Sequence, residues 1–167
     1  NEPKLIESDP EDKILNRRAQ NIILIGLTGC GKSEIGKRLA RLTGLGFIDL
    51  DDWIEKKHSK TIEEIFAEGD EEEFRLKESD AIDQISSVRN HIISVGGGAL
   101  SSKKNWYKLE KMGKIVWLDV SPATIGRRLN KSEKELKKRP LLADLIEGEN
   151  DARLHKLVQR LNGILSE

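Results

Sequence analysis

The chain has 167 residues, enough for one well-buried domain and too few for two domains of ordinary size. Its 29 basic side chains balance its 29 acidic side chains, and this neutrality excludes bulk electrostatic attraction to nucleic acid or to an acidic membrane surface. Cys30 is the single cysteine, so an internal disulfide is excluded, and no apolar run reaches membrane-spanning length or has the form of a signal peptide.

The first predicted strand follows a polar lead-in, residues 1–20, which is rich in charge and contains both early prolines. The β-branched run Ile22–Ile25 predicts this strand, and Gly26 ends it. A helix is predicted from about Gly31 to Thr43. Three apolar side chains are expected on its inner face: Ile35, Leu39 and Leu42.

Between this strand and this helix, the segment GLTGCGKS matches the phosphate-loop pattern G-x-x-x-x-G-K-[ST] at every fixed position. Glycines allow consecutive backbone N–H groups to turn towards a phosphate, and the helix N-terminus adds partial positive charge. Lys32 can reach the β- and γ-phosphates, and the Ser33 hydroxyl can bind Mg²⁺. A purely structural glycine turn would not require these flanking elements. The predicted nucleotide-binding residues of this loop are Gly29, Cys30, Gly31, Lys32, Ser33 and Glu34.

Strands and helices alternate along the rest of the chain, which predicts βαβ units and a parallel sheet. Further strands are predicted at Phe47–Leu50, His91–Val95 and Ile115–Val120. Further helices are predicted at Trp53–His58, from Thr61 with a capping box, at Asp70–Ser86, at about Ser102–Lys111 with Trp106 and Leu109 inward, from Ser121-Pro122 through Leu129, and at Asp151–Leu165.

Acidic residues follow the second predicted strand, at the sheet edge where ligands of open parallel sheets bind. Asp49 and Asp51 are two residues apart on a segment predicted to be extended, so their side chains are expected to face the same side. Asp49 is placed to hold a water molecule of Mg²⁺, and Asp51 is placed to take a proton from an alcohol. An exposed acidic turn that caps the next helix is the alternative, and it suits Asp52 better.

Three further features are expected around this cleft. The glycines Gly96–Gly98 follow the third strand directly, where a substrate can lie against bare backbone N–H groups, although a loose turn would look the same. Arg75 is expected at the cleft edge, with a helical ion pair to Glu71 or Glu78 as the alternative. The basic stretch 131–139 is either a solvated face or a lid whose arginine neutralises charge on a transferring phosphoryl group.

Taken together, these motifs resemble the shikimate kinase family from Asn21 to about Glu167. Five stretches carry the resemblance in the family's order: GLTGCGKS at 26–33, FIDLDDWIE at 47–55, IFAEGDEEEFRLKE at 65–78, SVGGGAL at 94–100 and RPLL at 139–142. The implied fold is the three-layer α/β fold of P-loop NTPases, similar to nucleoside monophosphate kinases, with a central parallel sheet. It implies one domain over 21–167, with a substrate-binding region at about 49–78 and a lid at about 130–145.

The resemblance implies phosphoryl transfer from ATP to the 3-hydroxyl group of shikimate, in the biosynthesis of chorismate and the aromatic amino acids. By matching positions, the catalytic residues would be Lys32, Asp51 and Arg139. Shikimate would contact Asp51 through its hydroxyls, Arg75 through its carboxylate, and the backbone of Gly96, Gly97 and Gly98. Arg128 would pack on the adenine of ATP, Arg139 would contact the γ-phosphoryl group, and Mg²⁺ would be held by Ser33 directly and by Asp49 through water.

The chain departs from the family pattern at its end, because members continue with an Arg-x-x-x-Tyr segment and a last edge strand. We therefore expect a longer protein whose edge strand follows Glu167.

Two alternatives stay open: a kinase of another small hydroxylated acid such as gluconate, and a related binding module with impaired catalysis. We expect a monomer in the cytoplasm (or the plastid stroma, if the source is a plant), with small-molecule substrates and with no nucleic-acid or membrane partner.

Overall fold

The computed structural model describes residues 20–131, 136, 139, 142, 145 and 150–166, and within them four parallel strands form a sheet of order β2-β3-β1-β4. The strands are β1 (Asn21–Ile25), β2 (Gly46–Asp49), β3 (His91–Ser94) and β4 (Gly113–Trp117). In register, Ile23 of β1 pairs with Ile93 of β3 on one side and with Ile115 of β4 on the other. The predicted parallel sheet is confirmed.

The fourth strand lies earlier in the chain than the predicted Ile115–Val120. It begins at Gly113, which packs so closely on β1 that an added Cβ atom would stand 2.2 Å from the carbonyl oxygen of Asn21. It ends at Trp117, and the Leu118 amide still donates to Ile25 at 2.9 Å before the chain turns. A close backbone approach that only glycine permits therefore fixes the start of this strand.

Seven α-helices and one 3₁₀ turn surround the sheet in the described part of the chain. They are α1 (Lys32–Thr43), α2 (Leu50–His58), α3 (Ile62–Glu68), α4 (Glu71–Gln84), the 3₁₀ helix Gly97–Ser101, α5 (Lys103–Met112), α6 (Pro122–Asn130) and α7 (Asn150–Ser166). Thr61 and Glu64 form the predicted capping box, and Ser121 caps α6 by accepting from the Thr124 amide. None of the described helices is long and apolar enough to cross a bilayer.

Alternate residues of β1 point to opposite faces, so the helices pack in layers on both sides of the sheet. Ile23 and Ile25 belong to a core cluster with residues of α2, α4 and α5, whereas Leu24 belongs to a cluster with Ala40 of α1. A further cluster joins Leu27 of the phosphate loop to α6 and α7. The three-layer arrangement predicted from the sequence is confirmed.

The predicted inner face of α1 is wrong at two of its three residues, whereas Leu39 is half-buried and packs against the core cluster of Leu24 and Ala40, as predicted. Ile35 and Leu42 are 42% and 77% exposed, and the buried residues of the helix are Gly36 and Ala40. The reason is that α1 lies almost directly on β2: a Cβ atom on Gly36 would stand 2.4 Å from Cε2 of Phe47. The small residues Gly36 and Ala40 allow this approach. The larger side chains of Ile35 and Leu42 lie beside the contact and are exposed.

The inner face of α5 is only partly as predicted. Leu109 is fully buried, but Trp106 is exposed, and Asn105 is buried in its place. The helix is rotated so that residues 105, 109 and 112 form its inner stripe, which has the i, i+4, i+7 spacing of a helix face.

Some predictions fall outside the described residues. The lead-in up to residue 19 is one of them. Within the predicted lid, the structure describes residues 130, 131, 136, 139, 142 and 145, and the other lid positions lie outside the described residues. β4 is an edge of the sheet in the described part of the chain, and the strand expected after Glu167 stays a prediction.

Candidate active site

The phosphate loop connects β1 to α1 at the carboxyl edge of the sheet. Gly26, Gly29 and Gly31 have φ values of 143°, 79° and 101°, a region that residues with a Cβ atom rarely adopt. The Cys30 amide donates to the Leu27 carbonyl at 3.1 Å, which closes the turn. Cys30 itself is buried among apolar residues beneath the loop. Each glycine of the motif therefore stands at a position where the backbone has a positive φ.

The Lys32 side chain folds across this loop. Its Nζ donates to the carbonyl oxygens of Gly26 at 2.8 Å and Leu27 at 3.0 Å, and it lies 3.8 Å from Sγ of Cys30. The ammonium group is therefore held at the head of the loop, where it can exchange carbonyl oxygens for the phosphate oxygens of a nucleotide.

Ser33 and Asp49 meet between the phosphate loop and the end of β2. The Ser33 hydroxyl donates to Oδ2 of Asp49, while Oδ1 of Asp49 accepts from the Asp51 amide at 3.1 Å and caps α2. The predicted extended segment is wrong here: β2 ends at Asp49, and Asp51 lies in the first turn of α2, because the Asp49 side chain satisfies a free amide of the helix.

The Ser33–Asp49 pair has the chemistry of a magnesium site. Mg²⁺ prefers oxygen ligands, and sites for it combine one or two protein oxygens with phosphate oxygens and water. Among the described residues no group of three or more His, Cys, Asp or Glu side chains could hold a metal. The hydroxyl oxygen of Ser33 and the carboxylate oxygen of Asp49 match the oxygen ligands that Mg²⁺ prefers.

The carboxyl groups of Asp51 and Glu78 both lie against Gly96. A Cβ atom on Gly96 would stand 3.1 Å from Oε1 of Glu78 and 3.6 Å from Oδ1 of Asp51. Asp51 as a whole is exposed, but this placement puts its carboxyl end on the floor of the cleft, and partial desolvation, followed by the charge of Asp49, raises its pKa to about 6.

Glu78 is the functional candidate that sequence reasoning missed. It is 1% exposed, and burial raises its pKa to about 7, although the hydrogen bond and charge of Arg75 act in the opposite direction. A signal was present in the sequence: position 78 falls on the same helical face as the predicted core residues Phe74, Ala81 and Ile82. A carboxylate on an apolar stripe indicates a specific polar partner.

Arg75 is that partner. Its Nη1 donates to Oε2 of Glu78 at 2.6 Å, and its Nη2 donates to Oε1 of Glu71 at 2.8 Å. The guanidinium group also lies against Gly98, where an added Cβ atom would stand 2.0 Å from Nη1. The helical ion pairs that the sequence offers as one alternative are present, and the same guanidinium group lies beside the triple glycine.

The triple glycine, Gly96–Gly98, lies between the phosphate loop and the pocket that contains Asp51, Glu78 and Arg75. The position of a Cβ atom on Gly97 is 3.5 Å from the carbonyl oxygen of Gly26, so the 3₁₀ helix starts beside the first residue of the phosphate loop. Gly96 faces Asp51 and Glu78, and Gly98 faces Arg75. The phosphate loop and the acidic pocket are therefore neighbours across a few glycine backbone atoms.

The two predicted arginines of the nucleotide side lie on or near α6. Arg128 is exposed on α6, next to Leu129, which packs on Gly29 of the phosphate loop. Arg139 is half-buried between Leu136 and Leu142, two fully buried residues that share a core cluster with the phosphate loop. This packing brings the backbone at 139 to the core cluster that contains Leu27 and Cys30 of the phosphate loop, and the roles of both arginines stay predictions.

The chain is similar to known proteins in both sequence and fold. The sequence model of the shikimate kinase family matches residues 28–163. The shikimate kinase of Alkaliphilus oremlandii is 42% identical over 125 residues, which is 75% of this chain and 72% of that protein. The shikimate kinase of Chlorobium limicola is 40% identical over 136 residues, which is 81% of this chain and 64% of that protein. The chain thus spans about two thirds of the length of these relatives.

Solved structures agree with this match. The crystal structure of shikimate kinase from Bacteroides thetaiotaomicron superposes with a TM-score of 0.74 at 34% identity, covering 88% of this chain and 80% of that one. A shikimate kinase from Acinetobacter baumannii, solved in complex with shikimate, gives a TM-score of 0.71 at 29% identity, covering 92% of this chain and 82% of that one.

Proposed function

This chain belongs to the shikimate kinase family, and we propose that it transfers the γ-phosphoryl group of ATP to the 3-hydroxyl group of shikimate. The observation that carries the proposal is the closeness of a phosphate loop to an acid-lined pocket, with Gly97 only 3.5 Å (at its Cβ position) from the Gly26 carbonyl oxygen. A phosphoryl donor and an alcohol bound in these two places would meet over the triple glycine, and positioning of this kind is the main source of rate in phosphoryl transfer.

On the acceptor side, Arg75 binds the carboxylate of shikimate, because its planar guanidinium is a preferred partner of carboxylates and Glu78 fixes its orientation at 2.6 Å. Asp51 orients the 3-hydroxyl group and accepts its proton. The raised pKa of Asp51, about 6, makes it a stronger base than an ordinary aspartate while leaving it ionised at neutral pH.

On the donor side, the backbone of the phosphate loop binds the phosphates, Lys32 and Arg139 stabilise charge on the transferring group, and Arg128 packs on the adenine. Ser33 and Asp49 would hold Mg²⁺, which when bound neutralises phosphate charge. The oxygen of the acceptor forms the new bond to the γ-phosphorus, ADP leaves, and the proton of the hydroxyl group passes to Asp51.

The two alternatives gain no support. The family match and the named relatives are shikimate kinases, which disfavours a kinase of gluconate. Lys32, Asp51 and Arg75 are present and lie at one edge of the sheet, which is unlike a module that has lost its catalytic groups. We further propose a monomer that acts in the cytoplasm on these small molecules.

ADP release from Mg-ATP tests the proposed reaction in the full-length protein. We expect release that depends on shikimate, that gluconate does not support, and that Lys32→Ala abolishes. Tight ATP binding without shikimate-dependent ADP release would overturn the proposal in favour of a binding module.

A further inference from the structure

A buried cation on α7, Arg153, binds the end of α6. It is 7% exposed; its Nε donates to Oδ1 of Asn130 at 2.5 Å, and its Nη2 donates to the carbonyl oxygen of Asn130 at 3.0 Å. Asn130 is the last residue of α6. The guanidinium group therefore binds both the main chain and the side chain at the C-terminal end of that helix.

The physical reason for this contact lies in the helix end itself. The last carbonyl groups of a helix lack intrahelical donors and carry partial negative charge, so a cation placed there is favourable. Arginine is rarely this buried unless it is paired, and its charge-assisted hydrogen bonds are directional. Arg153 thus fixes the position of the α6 end against α7, which a solvated surface arginine would not do.

A second contact between the same two helices lies one turn earlier. A Cβ atom on Gly126 would stand 3.0 Å from Cγ2 of Val158 and 3.2 Å from Cδ1 of Leu154. Gly126 and Asn130 are four residues apart and so lie on one face of α6. This face is held by α7 at two points.

An adjacent face of α6 packs on the phosphate loop. A Cβ atom on Gly29 would stand 3.0 Å from Cγ2 of Ile125 and 3.1 Å from Cδ1 of Leu129, and both side chains are buried. α6 is therefore in van der Waals contact with both α7 and the loop. In a close-packed interior, a shift of α6 is transmitted to Gly29.

We propose that Arg153 is a positioning residue for the nucleotide half of the site: by holding the end of α6, it sets the phosphate loop that α6 packs on. This inference rests on the proposed function in one respect: residues 26–33 are taken as the nucleotide-binding site. The acceptor-side residues Phe74 and Ile82 belong to a different core cluster from the loop, so the effect is expected to be selective for nucleotide.

The test measures ADP and shikimate affinity separately, by calorimetry, in the full-length protein. Arg153→Met keeps the bulk of the side chain and removes its donors. We expect ADP affinity to fall by about tenfold or more, because loop amides that are displaced lose charge-assisted hydrogen bonds to the phosphates. Shikimate affinity should stay within about twofold of the wild type, because the acceptor-side helices pack in the other core cluster. Arg153→Lys should be intermediate, and Lys156→Met, an exposed change on the same helix, should behave as wild type.

Asn130→Ala gives an independent variant if Arg153→Met does not fold, because it removes only the side-chain acceptor. In combination with Arg153→Met its effect on ADP affinity should be less than additive. Unchanged ADP affinity despite a lower unfolding temperature, or equal weakening of both ligands, would overturn the positioning role. Because ADP binding is measured directly, a wild type that binds ADP without phosphorylating shikimate would refute the proposed function and leave this inference intact.

Discussion

The guanidinium group of Arg75 lies where a side chain at Gly98 would have to be, since a Cβ atom on Gly98 would stand 2.0 Å from Nη1 and 2.2 Å from Cζ of Arg75. Two hydrogen bonds, to Glu78 at 2.6 Å and to Glu71 at 2.8 Å, hold the group there. The absence of a side chain at residue 98 is thus part of the arginine site, and the glycine does more than loosen a turn.

Gly98→Ala should therefore damage the acceptor site through Arg75. We expect the dissociation constant for shikimate to rise roughly 10- to 100-fold, since a displaced guanidinium loses directional charge-assisted hydrogen bonds. Binding titrations of shikimate measure this. In an Arg75→Met background the same change should have little further effect, and additive losses would show that Gly98 acts by another route.

Asp51→Asn should remove the base while keeping the size of the side chain. We expect kcat to fall by about 10²- to 10⁴-fold, the usual contribution of a positioned acid–base group, with a much smaller change in shikimate affinity. Asp52→Asn, at the neighbouring exposed position of α2, is the matched control and should retain wild-type kcat. A kcat for Asp51→Asn above about a tenth of the wild-type value would limit Asp51 to orienting the hydroxyl group.

Glu78 should make the protein less stable as the pH rises. Its pKa is raised from 4.5 to about 7, so between these values the folded state binds more protons than the unfolded state, and the free energy of unfolding falls with increasing pH. The stabilising contribution is complete below about pH 4.5 and is lost as the pH passes 7, and it amounts to roughly 1–3 kcal/mol.

Urea unfolding at a series of pH values from 4 to 8.5 checks this dependence. Glu78→Gln should flatten the slope between about pH 6 and 7 and reduce it between 4.5 and 6, where the raised pKa of Asp51 contributes a slope of the same sign. Glu72→Gln, an exposed change on the same helix, should leave the slope as in the wild type. The same slope in Glu78→Gln as in the wild type would show that other groups cause it.

Gly36→Ala tests the close packing of α1 on β2. The new methyl group would stand 2.4 Å from Cε2 of Phe47, and we expect a loss of about 1–3 kcal/mol of unfolding free energy, as for other overpacked cores. Thermal or urea unfolding measures this loss. Phe47→Leu in the same chain removes the ring and should restore part of the stability; no restoration would mean that the clash is relieved in some other way.

The parts that the sequence predicted best depend on local backbone physics. The three glycines of GLTGCGKS have left-handed backbone, and Thr61 with Glu64 forms its capping box, because both features are decided within a few residues. The alternation of strands and helices likewise predicted the parallel sheet, since few other arrangements bury such strands on both faces, and the family resemblance implied its three layers.

Helix faces were less predictable where two elements approach closely. The apolar spacing of Ile35, Leu39 and Leu42 predicted an inner face for α1, but the approach to Phe47 favours Gly36 there. The contact joins residues from different elements, and a helical pattern on its own carries no information about how near its neighbour lies.

The amino-acid sequence by itself determined the phosphate loop and the parallel α/β architecture, because each follows from short-range spacing and from the hydrophobic pattern of single elements. Only the tertiary structure decided that Glu78 is buried beside Gly96, that Gly98 makes room for Arg75, and that Arg153 binds the end of α6. These relationships join residues of different helices, strands and loops, so they exist only once the sheet and its helices have packed together.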